Sequence, residues 1–143
     1  MYQRILVPVD GSPTSDRGLA EAIKLGKLTG ASLRLVHAVE QAMYAPGLPA
    51  DLQPLMREEG EKILRAGKAQ VEAAGLAVET RLVQNNAVRV AEMVAIEVRS
   101  WAADLIVIGT HGRRGLGRLA LGSDAEQVAR VATVPVLLVR GQD

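Results

Sequence analysis

Five short aliphatic runs, separated by longer amphipathic segments, constrain the fold of this 143-residue chain most strongly. The runs at 4–10 (RILVPVD) and 104–109 (DLIVIG) are almost continuously apolar, which is typical of strands covered on both faces of a parallel sheet. The remaining predicted strands are 32–39, 77–83 and 134–140. Because strands alternate with helical segments, we expect right-handed crossovers and an open parallel sheet with helices on both faces.

Four segments between the strands show the periodicity of amphipathic helices, with apolar or small residues at steps of three and four. Gly30 and Gly75 stand where glycines commonly end a helix, and Asn86 is a candidate N-cap of the third helix. The pattern therefore predicts a β-α-β-α-β-α-β-α-β order within a single domain over 1–143. The predicted helices are 15–29, 51–74, 87–102 and 124–132.

Composition excludes several classes of function. The chain has no cysteine, so disulfides, thiolate metal sites and a cysteine nucleophile are ruled out. Its net charge of +1 gives no strong electrostatic attraction to nucleic acid. With no Phe, two Tyr and one Trp, it also lacks an aromatic surface on which bases could stack. No signal peptide or membrane-length apolar run is evident, and we therefore expect a cytoplasmic protein without a nucleic-acid or membrane partner.

Polar or glycine-rich sequence follows two of the predicted strands at their carboxyl ends. VDGS follows the first strand, and GTHGRRGLGRLALGSDAE (109–126) follows the fourth. Ligands of open α/β sheets bind beyond the carboxyl ends of the strands, where the strand order reverses. If the first and fourth strands are neighbours, the sheet order is 3-2-1-4-5 and both segments face one crevice.

The glycine-rich stretch has the chemistry of a phosphate cradle. Glycines let several backbone N–H groups converge on an anion, and a helix N-terminus adds free donors and partial positive charge. Ser123 could serve both as N-cap of the helix that begins near Asp124 and as a phosphate contact. Spacing alone leaves a structural turn as an equal alternative, since the stretch is neither a Walker A loop nor a dinucleotide fingerprint. The candidate contacts are Gly109, Gly112, Gly122 and Ser123.

Asp10, at the end of the first strand, is the second candidate. Its carboxylate could accept from ribose hydroxyls or hold Mg²⁺ through water, or it could cap a helix or bond within its loop. Covalent catalysis is disfavoured, because Ser12 stands where a phosphotransferase of this kind needs a second Asp. Arg113, Arg114 and Arg118 fit either surface solvation or phosphate contact. The proline-containing segment 40–54 fits a mobile loop or a lid.

Over nearly its whole length the chain resembles the universal stress protein family. The resemblance rests on RILVPVDGS, LVHAV, ADLIVIGTHGRRGLGRLALGSDAE and VPVLLVR. The glycine stretch fits the family's ATP-binding pattern G-x2-G-x9-G-S/T. The resemblance implies a Rossmann-like fold of the adenine nucleotide alpha-hydrolase type, with ATP (or ADP or AMP) and accompanying Mg²⁺ as ligands. It also implies a homodimer in which strands 134–140 pair.

The resemblance assigns roles by position. Pro8 and Val9 would border the adenine, the backbone of Ala38 would bond its edge, and Val39 would cover the base. Asp10 would contact the ribose or a metal-bridged phosphate, and Gly109 would lie by the ribose. The residues expected at the phosphates are Gly112, Arg113, Gly122 and Ser123.

Two departures from the family pattern bear on this site. The third helix begins with NNAVRV rather than a Gly-x-Pro-Ala entry, and Asp124 follows Ser123 where a neutral residue is usual. An acid in the first turn suits the helix dipole but repels a bound phosphate unless Mg²⁺ or Arg113 offsets it. The leading hypothesis is a nucleotide-responsive stress regulator. The alternatives are a slow ATPase or phosphotransferase and a nucleotide-free dimeric interaction module.

Overall fold

The computed structural model describes residues 1–39, 52–84, 89–110 and 121–141. Strands and helices alternate along these residues in the predicted order. The elements are β1 (Arg4–Pro8), α1 (Pro13–Thr29), β2 (Ser32–Val39), α2 (Leu52–Ala73), β3 (Val78–Gln84), α3 (Val90–Trp101), β4 (Leu105–Gly109), α4 (Ser123–Val131) and β5 (Val136–Val139).

The five strands form one parallel sheet in the order β3-β2-β1-β4-β5. β1 is central, because Ile5 pairs with Leu33 of β2 on one side and with Leu105 of β4 on the other. The chain builds the sheet outward from β1 to β3 and then crosses to the other side of β1. The order reverses between β1 and β4, which confirms the predicted fold class and switch point.

Helices cover both faces of the sheet. Ile5 and Val7 of β1 pack with residues of α1 and α2, whereas Leu6 packs with residues of α3 and α4. This alternation follows from the opposite directions of successive side chains in a strand. Both layers are almost entirely aliphatic, and Trp101 is the one aromatic residue among the buried core residues that the structure describes.

The caps of the first two helices follow simple backbone rules. Ser12 is the N-cap of α1, and its Oγ accepts from the backbone N of Ser15 at 3.2 Å. Pro13 can begin the helix because the first helical position needs no N–H donor. Gly30 (φ 75°) and Gly75 (φ 79°) follow α1 and α2 in left-handed conformations, as expected from the sequence.

Two predicted N-caps are wrong. α3 begins at Val90 with Arg89 as its N-cap, rather than at Asn86, which lies outside the described residues. The N-cap of α4 is Gly122, which has an extended backbone, and Ser123 is already the first helical residue. Gly122 has no side chain to cap the helix.

Several predicted features lie partly or wholly outside the described residues. Of the segment 40–54, only the last three residues are described, as the start of α2. Gly112, Arg113, Arg114 and Arg118 also lie outside the described ranges. Among the helices that the structure does describe, none is long and apolar enough to cross a membrane.

Candidate functional site

A cavity of about 540 Å³ opens at the carboxyl end of the sheet, beside the switch point between β1 and β4. This volume falls within the range of roughly 300–1,000 Å³ that is typical of small-molecule sites. The wall combines the ends of β1, β2 and β4 with residues of all four helices, α1 contributing Ser15. A small molecule could thus contact several parts of the chain, distant in sequence, at once.

Eight of the ten residues predicted to bind a nucleotide line this cavity. They come from three strand ends and the start of α4, which are distant in sequence. The other two, Gly112 and Arg113, lie outside the described residues. The eight lining residues are Pro8, Val9, Asp10, Ala38, Val39, Gly109, Gly122 and Ser123.

Asp10 lies in a tight turn between β1 and α1. Its Oδ1 accepts from the backbone N of Ser12 at 2.8 Å, and its own N donates to Ser15 Oγ at 3.0 Å. Gly11, between Asp10 and Ser12, has a φ of 80°, a left-handed backbone conformation that favours glycine. Of the roles left open for Asp10, the loop hydrogen bond is present, whereas Ser12 rather than Asp10 caps the helix. The turn leaves Asp10 in the cavity wall.

His37 braces two walls of the cavity. Its Nδ1 donates to the backbone oxygen of Val9 at 2.8 Å, which places the ring hydrogen on Nδ1, since a carbonyl can only accept. The opposite edge of the ring meets α2 at Gly60, where an added Cβ would lie 2.7 Å from His37 Cδ2. His37 therefore spaces the end of β1 from α2, and it lines the cavity itself.

Gly109 lets α1 approach the end of β4. A Cβ built on Gly109 would lie 2.6 Å from the backbone oxygen of Thr14, too close for any side chain. Across the same contact, a Cβ on Gly18 would lie 3.1 Å from the backbone N of Gly109. Because Gly18 and Gly109 lack side chains, the start of α1 can lie next to β4. Asp10 and Gly109 therefore line the same cavity.

The first turn of α4 forms another part of the wall, through Gly122, Ser123 and Asp124. The backbone N–H groups of a first helical turn lack intrahelical acceptors, and the helix dipole places partial positive charge there. An anion can be bound at such a turn. Behind it, Ala125 and Val128 are buried against the sheet and fix the helix in place.

Further lining residues were missed by sequence reasoning. Leu55, Met56 and Glu59 come from the first turns of α2, and they belong to no motif. Met56 shares the apolar spacing of Gly60 and Ile63 in the predicted second helix, but no local signal indicates that this face of the helix extends beyond the sheet. The remaining lining residues that were not predicted are Ser15, Val36, His37, Val90, Met93, Val94, Ile108 and Ala125. Asp124, which the sequence placed beside the expected phosphate, also lines the cavity.

Acidic groups dominate the charge of the described wall. Asp10, Glu59 and Asp124 line the cavity, and none of its described lining residues is Lys or Arg. Near this wall, desolvation raises the pKa of the Asp16 carboxyl above its ordinary value of 3.8, and the charge of Asp10 adds to the rise. No group of three or more His, Asp or Glu within the described ranges has an arrangement that could hold a metal ion.

The sequence as a whole matches one family model. The model of the universal stress protein family covers residues 1–140. Among individual relatives, the universal stress protein MJ0531 of Methanocaldococcus jannaschii is 34% identical, over 98% of this chain and 83% of that protein. The chain therefore belongs to the universal stress protein family, as the sequence motifs predicted.

Solved structures agree with this assignment. A universal stress protein from Burkholderia pseudomallei is 34% identical and superimposes with a TM-score of 0.81, over 96% of each chain. A universal stress protein solved in complex with cAMP is 26% identical, with a TM-score of 0.72 over 97% of each chain. At least one protein of this fold thus binds an adenine nucleotide.

Proposed function

We propose that this chain binds an adenine nucleotide, with ATP, ADP and AMP as the candidate ligands, in the cavity at the carboxyl end of the sheet. The observation that carries the proposal is the convergence of Asp10, Gly109 and the first turn of α4 on one cavity at the switch point. The bound nucleotide would act as a signal, and the protein as a cytoplasmic regulator in stress response. The cAMP complex of a relative supports the class of ligand.

The wall divides into regions suited to the parts of a nucleotide. Apolar side chains, including Val9, Val39 and Met93, suit the faces of a base, and the backbone at Ala38 suits its edge. Asp10 offers a carboxylate for ribose hydroxyls. Ser123 and the N–H groups of the first α4 turn suit a phosphate. Gly112 and Arg113 would complete the phosphate site.

Any Mg²⁺ would arrive with the nucleotide. Mg²⁺ keeps several of its waters and commonly binds through one or two carboxylates plus substrate phosphates. Asp10 can supply such a carboxylate from the cavity wall. Because the described residues offer no cluster of three acidic or histidine ligands, the phosphates would provide the rest.

The exposed edge of the sheet supports a homodimer. β5 is an outer strand, and it exposes 38% of Leu137 and 36% of Leu138. Unpaired strand edges with apolar side chains are usually covered in native proteins. Two copies would pair through 134–140. Sedimentation velocity should show a dimer that the double variant Leu137→Lys/Leu138→Lys converts to a monomer, and a monomeric parent protein would refute the pairing.

Calorimetry tests nucleotide binding. AMP, ADP, ATP and adenosine are titrated into the purified chain, with GMP as the control for the base. We expect the adenine ligands to bind and GMP to bind far more weakly. Ser123→Ala should weaken AMP by about fivefold, the equivalent of one hydrogen bond, without affecting adenosine. Ser100→Ala, on α3 away from the cavity, is the matched control. Failure of every adenine ligand to bind would refute the function.

A further inference from the structure

We propose that Leu55 and Met56 of α2 pack against the adenine base, so that the first turns of this helix form one wall of the base site. The proposal rests on the proposed function and adds to it two residues that belong to no nucleotide-binding motif. Three features of the structure support it: the path of the cavity across the sheet, the close approach of α2 to β2, and the apolar surface at the start of α2.

The cavity crosses the carboxyl end of the sheet from β4 to β2. Its proposed phosphate end lies beyond β4, at the first turn of α4, where Ser123 lines the wall. Asp10 follows β1, which lies between β4 and β2. Neighbouring strands are about 5 Å apart, so β4 and β2 are about 10 Å apart, a distance that one mononucleotide can span. A nucleotide with its phosphate at α4 and its ribose at Asp10 therefore places its base beyond β2.

A glycine allows α2 to lie close to the end of β2. A Cβ added to Gly60 would lie 2.7 Å from His37 Cδ2 and 2.7 Å from Leu82 Cδ1, so a side chain here would press against both residues. Met56, one turn earlier, lies on the same face of the helix as Gly60, and it lines the cavity. The close contact at Gly60 thus brings the first turns of α2 to the base end of the cavity.

The first turns of α2 present apolar side chains to this end. Leu55 lines the cavity and is 61% exposed, although its side chain is large and aliphatic. Met56 also lines the cavity and is half-buried. The methionine thioether is flexible and polarisable, and it packs favourably against aromatic rings. A base that covers Leu55 and Met56 would remove their apolar surface from water, which favours binding.

Leu28 provides an internal comparison. It lies in the last turn of α1, is 80% exposed and is not part of the cavity wall. Leu28 and Leu55 are both exposed leucines on helices, and they differ in whether they border the cavity. Truncating Leu28 thus measures the general effect of removing an exposed leucine. Because Leu55 is exposed as well, its truncation should leave the fold intact.

Calorimetry with adenosine and AMP tests the contact, using the parent protein, Leu55→Ala, Met56→Ala and Leu28→Ala. We expect Leu55→Ala and Met56→Ala each to weaken both ligands by the same factor, about fivefold, because both ligands carry the base. Leu55→Met should bind both nearly as well as the parent, since it keeps an apolar side chain of similar volume. Leu28→Ala should leave both affinities unchanged. Ser123→Ala, by contrast, should weaken AMP alone.

Methyl NMR locates the base directly. The methyl groups of Leu and Met are labelled with ¹³C, and NOEs from H2 and H8 of bound AMP are recorded. We expect NOEs to the δ-methyl groups of Leu55 and to the ε-methyl group of Met56, and none to Leu28.

The outcomes separate this proposal from the function on which it rests. Bound AMP without NOEs to Leu55 and Met56, or Ala variants that bind adenosine as tightly as the parent, would overturn the role of α2 while leaving nucleotide binding intact. A loss confined to AMP would overturn it as well, because it would indicate an effect on the phosphate. Failure of the parent protein to bind either ligand would remove the proposed function, and this proposal with it.

Discussion

Charged side chains have different surroundings at the two ends of the sheet. At the carboxyl end, Asp10, Glu59 and Asp124 face an open cavity. At the amino end, Arg34 of β2 holds Glu97 of α3 at 3.1 Å and Glu79 of β3 at 2.7 Å. The carboxylates of one end thus line a cavity, whereas those of the other are packed between strands and helices, where Arg34 contacts both.

The amino end is closed by aromatic and backbone contacts as well. The Arg34 guanidinium lies 4.9 Å from the centre of the Trp101 ring, and Arg4 donates from Nη1 to the Trp101 backbone oxygen at 2.7 Å. Asp104 accepts from the backbone N of Gln3 and of Arg4, at 2.9 and 3.0 Å. These contacts tie α3, β1 and the start of β4 together.

The comparison teaches that residue type alone does not reveal a site. Glu97 is more deeply buried than any of the cavity carboxylates, with 4% of its side chain exposed, yet its contacts to Arg34 and Arg81 make it structural. The cavity acids differ from Glu97 in that they border an open cavity. Removing charge should therefore cost stability at the amino end and change binding at the carboxyl end.

The largest effect is expected at Glu97. Glu97→Ala leaves Arg34 without its buried partner, and we expect a loss of about 3 kcal/mol in the free energy of unfolding. Chemical denaturation measures it. Glu79→Ala is the matched control: Glu79 is 58% exposed, so its loss should be below about 1 kcal/mol. Comparable losses in the two variants would contradict the structural role assigned to Glu97.

Gly109 should affect both stability and binding. In Gly109→Ala the new methyl group would meet the Thr14 backbone oxygen at 2.6 Å, so β4 and α1 must separate. We expect a loss of about 2 kcal/mol in denaturation and weaker AMP binding, since Gly109 lines the cavity. Gly30→Ala, at a left-handed position with open space, should cost about 1 kcal/mol and leave binding intact. Undiminished AMP binding in Gly109→Ala would contradict the inference that the close contact between α1 and β4 shapes the nucleotide cavity.

The smallest effect concerns the proton of Asp16. Its pKa is raised above 3.8 by desolvation and, to a lesser degree, by Asp10. Because the folded protein holds this proton more tightly than the unfolded chain, the protonated group favours folding. That contribution is complete below pH 3.8 and is lost as pH rises through the raised pKa.

Carboxyl resonances followed by NMR during a pH titration measure this pKa. In Asp10→Asn the Asp16 midpoint should fall, yet stay above 3.8, because desolvation is the larger cause. A wild-type midpoint at or below 3.8, or no change in the variant, would contradict the electrostatic description of this end of the sheet.

The sheet could be predicted well because each strand has a signal within its own short stretch of sequence. Aliphatic runs mark strands whose two faces are buried, and β2 at Ser32–Val39 has the predicted bounds. The strand ends differ where polar or proline residues interrupt the pairing. β1 ends at Pro8, two residues before Asp10, and β5 begins at Val136, just after Pro135. The predicted order 3-2-1-4-5 followed from the position of the polar segments.

The site was predictable only where motifs mark it. Asp10, Gly109 and Ser123 stand at strand or helix ends with recognisable sequence around them. Glu59 reaches the cavity because α2 packs closely against His37 at Gly60, a tertiary contact without a local signature. The pairing of Arg34 with Glu97 spans 63 residues and was likewise invisible in the sequence.

The most direct test of the account follows backbone amide signals while AMP is added to ¹⁵N-labelled protein. Binding at the carboxyl end should shift the signals of Asp10, Ala38, Gly109 and Ser123. Those of Arg34 and Glu97, at the amino end, should stay in place. Shifts centred on the amino end, or no shifts at millimolar AMP, would contradict the claim that the cavity beside the switch point is a nucleotide site.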